Sequence, residues 1–248
     1  MKTLISNKLV EIARDADVTL LFACESGSRA WGFPSVDSDY DIRFIYTRKT
    51  EHYLSVDNLS EDIKLPIQGD LDIYGWDLRK VLRLLKQSNV TPFEWIQSPI
   101  VYYADETFPE RFRALLTNFY YPRKHAHHYL GLVKGKLPQL DAETVDFKSL
   151  FYMLRSLLSA QWSLELGHYA PMELMSLLAL VPPHLKDEVL MLIALKASAD
   201  ENDSLALPES LKSYIAKEYM ALSERAKDAP LKYGDMALLD DYFLRTIR

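Results

Sequence analysis

Asp39 and Asp41 stand two residues apart at the head of a largely apolar stretch, a short loop after Gly27-Ser28. In an extended strand, side chains alternate between faces. A spacing of two therefore puts both carboxylates on one face, a side-chain step apart. Like charges this close on an otherwise apolar strand are costly without a counter-ion. A divalent cation is one solution, since Mg2+ takes carboxylate oxygens together with phosphate oxygens and water. The plainer alternative is an acid-rich surface turn before a strand. A third acid, Asp72, lies between Leu71 and Ile73 in a second apolar run. On an adjacent strand it would face Asp39 and Asp41, with Asp70 on the same face as its competitor. In the alternative arrangement Asp72 points to water, and Leu71 and Ile73 form the buried face. Gly27 lets the backbone approach a ligand, and the amides after it, with the Ser28 hydroxyl, suit a phosphate.

These residues need a frame. Residues 18–24, apolar but for Thr19, form a continuous run with the length of a buried strand. Gly27 breaks it, and a short turn or helix over 28–31 follows. Residues 40–47 alternate as a second strand and 69–76 read as a third. Residues 4–16 have helical spacing. Asp77 is a natural N-cap for a helix over 78–87. A short helix over 92–98 and a short strand over 99–104 complete this part. Beyond Asp105 the pattern is almost wholly helical. The longest stripe runs through Phe147, Leu150, Phe151, Leu154, Leu157, Leu158 and Trp162, with Lys148, Tyr152, Arg155 and Ser159 on another. Further helices are expected over 171–180, 185–199, 208–227 and 235–246, with an acidic connector at 200–203.

The 248 residues are 48% hydrophobic and 26% charged, which excludes global disorder. The net charge of −6 argues against indiscriminate nucleic-acid binding. Between Glu110 and Asp141, however, there is no acid, while Arg111, Arg113, Arg123, Lys124, Lys134 and Lys136 all fall there. That segment suits a phosphate-rich ligand or a solvated helix face. His125, His127 and His128 in the same segment lack the spacing of a helical metal-ligand pair. They read as a surface or phosphate-facing cluster. Cys24, the single cysteine, cannot form an internal disulfide or a cysteine-rich zinc site. No run approaches the ~20 apolar residues that span a bilayer. The expectation is a soluble cytoplasmic protein that does not engage a membrane. Trp31, Trp76 and Trp95 are expected to pack rather than to stack on bases.

Gly27-Ser28, Asp39-x-Asp41 and the lone strand acid Asp72 together resemble the DNA-polymerase-β-like nucleotidyltransferase superfamily. Five segments are similar to the bacterial predicted nucleotidyltransferases of the YcgL type and the RNA-ligase-associated potential nucleotidyltransferases. They are Gly27-Ser-Arg-Ala-Trp-Gly32, Ser38-Asp-Tyr-Asp41, Leu71-Asp-Ile-Tyr-Gly-Trp-Asp-Leu-Arg-Lys80, Glu94-Trp95 and Ser98-Pro-Ile-Val-Tyr102. The helix from Phe147 to Arg155 resembles a Lys/Tyr/Arg-bearing helix in the tails of those proteins. The resemblance covers about residues 20–165, and nothing after Pro171 is recognised.

The resemblance implies an α+β fold. A small mixed-sheet nucleotidyltransferase head with flanking helices (1–105) would precede an all-helical region (106–248). It implies that Asp39, Asp41 and Asp72 are catalytic and hold Mg2+ or Mn2+, with Asp72 helping to activate the acceptor hydroxyl. Gly27, Ser28, Arg29, Lys148 and Arg155 would contact the phosphates of a nucleoside triphosphate such as ATP. The implied reaction moves a nucleoside monophosphate to a hydroxyl on an RNA end, a small molecule or a protein, and pyrophosphate leaves. The alternative is a non-catalytic module that binds a nucleotide or a partner on the same fold. Oligomeric state, base preference and the contribution of Asp70 are open at this level.

Overall fold

The computed structural model describes residues 1–57, 59–67, 69–200 and 203–248. The first half runs α1 (Lys2–Asp15), β1 (Thr19–Glu25), α2 (Gly27–Trp31), β2 (Tyr40–Thr47), α3 (Thr50–Tyr53), β3 (Asp62–Lys64), β4 (Leu71–Asp77), α4 (Leu78–Lys86), α5 (Val90–Trp95) and β5 (Val101–Ala104). The second half runs α6 (Phe108–Leu116), α7 (Pro122–Lys136), β6 (Val145–Asp146), α8 (Phe147–Glu165), α9 (Leu174–Leu177), α10 (Pro183–Lys196), β7 (Ser204–Leu205), α11 (Glu209–Asp228) and α12 (Met236–Ile247). The architecture is α+β.

The chain gathers into two compact units. One comprises Met1–Ala30, Asp39–Phe119 and Tyr233–Arg248; the other comprises Trp31–Ser38 and Tyr120–Lys232. A single cut after residue 105 does not describe them, because α6 and α12 belong with the sheet. The reason is aromatic packing. The Phe22 ring of β1 lies 6.4 Å from Phe108 of α6. Phe108 stacks on Phe112, which lies 6.1 Å from Tyr242 of α12.

The first unit is built on a five-stranded sheet of order β3-β4-β2-β1-β5. β1 is antiparallel to β2 and β5, β3 is antiparallel to β4, and β2 and β4 run parallel. β1 sits inside the sheet, which is why residues 20–24 are all apolar and buried. Ile5, Leu9 and Ile12 of α1 share one core with Leu20, Ala23, Ile42, Phe44, Tyr46 and Ile73. Each large side chain buried there stabilises the fold by roughly 1.5–3 kcal/mol. Asp41 and Arg43 alternate with Ile42 and Phe44, so they project from the face opposite α1. Gly75 is where β4 passes the Phe44 ring, and a Cβ there would collide with it. Asp77 ends β4 and caps α4, accepting from the Arg79 amide at 2.8 Å and from the Tyr53 hydroxyl at 2.9 Å. Trp95 is buried, with the Trp76 ring 4.3 Å away. Sequence pattern does not reveal α3 or β3, which are too short to show a period.

Among its described residues the second unit has one strand pair, β6–β7, in which Val145 faces Leu205 and Asp146 faces Ser204, and its other regular elements are helices. Asp146 also caps α8, accepting from the Ser149 amide at 2.6 Å. α8 is buried on most of its circumference, Arg155 and Ser159 included. The helix expected over 171–180 shortens to α9 and a following 3-10 turn. The Met172 carbonyl accepts from Arg155 Nε at 2.9 Å, which commits the segment before α9 to a non-helical path. The histidines do not share a face. His127 and His128 are exposed on α7, while His125 is buried, edge-on to Tyr120 at 4.8 Å. Of the acidic connector expected at 200–203, residues 201 and 202 lie outside the described residues. No helix among the described residues is long and apolar enough to cross a membrane.

Candidate active site

The site is built where β1, β2 and β4 of the first unit lie side by side. The Tyr40 amide donates to the Asp70 carbonyl at 2.7 Å, and this sets β2 and β4 in register. Asp41 then lies directly opposite Asp72. Parallel neighbours in register present side chains to the same face, and here one cation joins them. Arg43 Nη2 donates to Asp41 Oδ1 and to Asp72 Oδ2, both at 2.7 Å. Its Nη1 donates to the carbonyls of Ile42 at 3.0 Å and Asp72 at 2.9 Å. One guanidinium against two carboxylates leaves a negative charge that Arg43 does not compensate.

The end of β1 completes the arrangement. The Ser26 amide donates to the Asp41 carbonyl at 2.8 Å, and the Asp41 amide donates to Glu25 Oε1 at 2.6 Å. Gly27 follows with φ +62, where a Cβ would collide with Asp41 Oδ2. Only glycine allows both that backbone conformation and the close approach. Glu25 is buried; it accepts from the Tyr102 hydroxyl through its other oxygen, and its carbonyl accepts from Ser98 Oγ at 2.7 Å. Burial pushes the Glu25 carboxyl above its usual range. The Tyr102 and Asp41 hydrogen bonds oppose the shift, and the charge of Asp41 adds to it.

The other expected site residues fall as follows. Asp39 is exposed and precedes β2, so strand alternation does not orient its side chain. Its carbonyl accepts from Arg29 Nε at 3.0 Å. The Arg29 guanidinium lies over the Tyr40 ring at 3.9 Å. Ser28 is half-buried and Asp70 is exposed. Among the described residues, no three carboxylate, histidine or cysteine side chains gather as a metal centre. The close pair is Asp41 and Asp72. In the second unit, Lys148 is exposed, whereas Arg155 is buried with its guanidinium 4.5 Å from the Trp31 ring. A cavity of about 670 Å³ in the first unit is lined by α1 together with Leu71 and Ile73, not by the acids.

Sequence reasoning missed Arg43, Glu25 and Tyr102. Arg43 follows Asp41 by two residues, so the same period that pairs acids on a strand could have found it. Glu25 carried the signal of an acid closing an apolar run. Tyr102 carried none, since its place beside Glu25 depends on β5 pairing with β1.

Asp41 and Asp72 offer hard oxygen donors on adjacent strands, the chemistry a divalent cation requires. Arg43 holds the position between them. The donor set therefore fits such an ion once the guanidinium yields one of its contacts.

The model of the RNA repair pathway DNA polymerase beta family matches residues 1–245. The uncharacterized protein YcgL of Bacillus subtilis (strain 168) is 39% identical over 239 residues, 95% of this chain and 92% of that protein. Among solved structures, the spectinomycin adenyltransferase AAD(9) of Enterococcus faecialis, with ATP and spectinomycin, is 11% identical with a TM-score of 0.39, covering 90% of this chain and 98% of that one. A nucleotidyltransferase-like protein from Exiguobacterium sibiricum 255-15 is 10% identical with a TM-score of 0.32, covering 98% and 79%.

Proposed function

The chain belongs to the RNA repair pathway DNA polymerase beta family, and from that premise we propose that it is a nucleotidyltransferase. An acceptor hydroxyl oxygen attacks the α-phosphorus of a nucleoside triphosphate. The bond from that phosphorus to the oxygen bridging the β-phosphate breaks, and pyrophosphate leaves. One observation carries the reading: Asp41 and Asp72 stand opposite each other in register, beside a glycine at positive φ. Asp72 would orient the acceptor hydroxyl and take its proton at the oxygen that Arg43 leaves. Gly27 and Ser28 would bring amides and a hydroxyl to the triphosphate, with Arg29 next to them. Glu25 and Tyr102 hold the Asp41 backbone and so the position of its carboxylate. Mg2+ or Mn2+, held by Asp41 and Asp72 with Asp39 as the expected third ligand, would supply Lewis-acid stabilisation of the charge on the phosphates. Lys148 and Arg155 are carried as phosphate contacts by the resemblance alone.

The family description favours an RNA end as the acceptor over a small molecule or a protein hydroxyl. A cytoplasmic setting belongs to the same proposal, and the buried, thiol-form Cys24 is compatible with it. The test is incubation with α-labelled nucleoside triphosphates, Mg2+ or Mn2+, and RNA, small-molecule and protein acceptors. Asp41→Asn and Asp72→Asn should each lower pyrophosphate release by at least about 100-fold. Release that persists in the double variant rejects the assigned site.

A second reading draws on a specific feature. Arg43 already neutralises part of the acid pair, as suits a module that binds a nucleotide or partner without transferring anything. That reading requires nucleotide binding indifferent to divalent cations and no label transferred to any acceptor.

A further inference from the structure

At the other end of β1, Thr19 pairs with Thr47 of β2. There the first unit holds a cleft of about 410 Å³ whose lining includes Arg48, Lys49, Arg111, Arg245 and Arg248 against a single acidic side chain, Asp105. β1 is seven residues long, which at strand rise puts this cleft about 20 Å from Gly27 and the acid pair. We propose that the cleft is a second anion site that takes the phosphate groups of a phosphate-bearing ligand. It is independent of the nucleotidyl-transfer reading.

The reason is how little of the positive charge is already answered. Lys49 is paired with Asp17 at 2.7 Å, and Arg245 with Asp241 at 2.9 Å. Asp105 Oδ1 accepts from the amides of Thr107 at 3.1 Å and Phe108 at 3.0 Å and from the Thr107 hydroxyl at 3.1 Å, where it starts α6. Among the described residues Arg48, Arg111 and Arg248 form no ion pair. The Arg48 Nε is shielded from solvent without a hydrogen-bond acceptor there, its Nη2 donates to the Ser60 carbonyl at 3.3 Å, and its guanidinium lies over the Tyr46 ring at 5.4 Å. Arg111 lies over the Tyr242 ring at 5.3 Å and its Nη2 donates to Thr246 Oγ1 at 3.5 Å. Arginines of this kind, with four threonines in the same lining, match the several outward oxygens of a phosphate. Arg111 also opens the acid-free segment noted in the sequence, so the cleft accounts for part of that charge asymmetry.

The ligand chemistry is phosphate, and its source is either a free polyphosphate or a polynucleotide backbone. Inorganic tripolyphosphate and a fluorescent single-stranded oligonucleotide are each titrated without divalent cations, across a range of salt concentrations. The proteins are wild type, Arg48→Gln/Arg111→Gln, Arg111→Gln alone and Asp41→Asn/Asp72→Asn. Arg111 is exposed, so its single variant keeps the fold and its ligand-free melting temperature. Tripolyphosphate affinity should fall at least about tenfold in the double arginine variant. Where the oligonucleotide binds through these arginines, the slope of its log affinity against log salt should shrink by about 0.7 per arginine removed. The aspartate variant should retain the affinity. Parallel loss of oligonucleotide binding assigns the site to a polynucleotide backbone, and oligonucleotide binding indifferent to the arginines assigns it to a free polyphosphate. Tripolyphosphate binding that is equal in wild type and the double arginine variant, or absent from both, overturns the proposal.

Discussion

Asp41 and Asp72 face each other across two parallel strands, and both accept from one nitrogen of Arg43 at 2.7 Å. The guanidinium stands where a counter-ion must stand, and its removal reports directly on the acid pair. Arg43→Met keeps the length of the side chain but leaves two facing carboxylates on a partly shielded surface. We expect a loss of about 1–3 kcal/mol in metal-free buffer, lower than for a fully buried pair because water screens the site. Urea unfolding should then show a larger gain on adding Mg2+ in the variant than in wild type. Equal gains would mean that the pair does not bind the cation.

Gly27→Ala tests the bend beside the pair. The new Cβ would collide with Asp41 Oδ2 while the backbone stays at positive φ. Strain of this kind costs on the order of 1–3 kcal/mol. Transfer activity should fall with it, because the carboxylate has to move. Unfolding and turnover assays on the same preparation check both effects, and an alanine variant with unchanged stability would contradict the described approach.

Glu25 has a pH signature. Burial raises its folded pKa above the ordinary 4.5. From about 4.5 up to the folded value, the native state therefore binds more protons than the unfolded one. Its contribution to stability is full below 4.5 and is lost as pH rises through the folded pKa. Glu25→Gln leaves an oxygen for the Asp41 amide and removes the titration. The difference in unfolding free energy between wild type and Glu25→Gln should change over that window, favouring wild type at its acid end. A constant difference would show that Glu25 does not titrate in this way.

His125 behaves oppositely. Burial, with a smaller contribution from His128, pushes its pKa down from 6.5 to about 3. As pH falls below 6.5 the unfolded chain takes up a proton that the native state refuses. The stability it contributes is present above 6.5 and is lost as pH drops toward 3. His125→Leu should flatten that acid limb relative to wild type, as measured by unfolding at successive pH values. An unchanged limb would place the imidazole in water.

Much of the first unit was legible because its elements carry strong local signals. The apolar run at 20–24 in β1, the alternation of Ile42, Phe44 and Tyr46 in β2, and the Asp77 cap each specify structure over a few residues. The second unit was legible as helices but not as faces. His125, His127 and His128 look alike in sequence, and only the packing of α7 buries the first of them. Lys148 and Arg155 likewise share a stripe, yet one is exposed and the other lies under Met172 and Trp31.

The amino-acid order by itself determined which residues could do chemistry here: a glycine-serine bend and acids set in apolar strands. Period two is a property of any extended chain, so the order also implied that Asp72 had a definite face. It could not determine which acids meet. That required the parallel pairing of two strands with α3 and β3 between them in the chain, and hydrogen bonding between distant segments leaves no local trace. Tertiary structure joined Asp41 to Asp72, left Asp39 ahead of the strand, and set Arg43 rather than a third carboxylate between the pair.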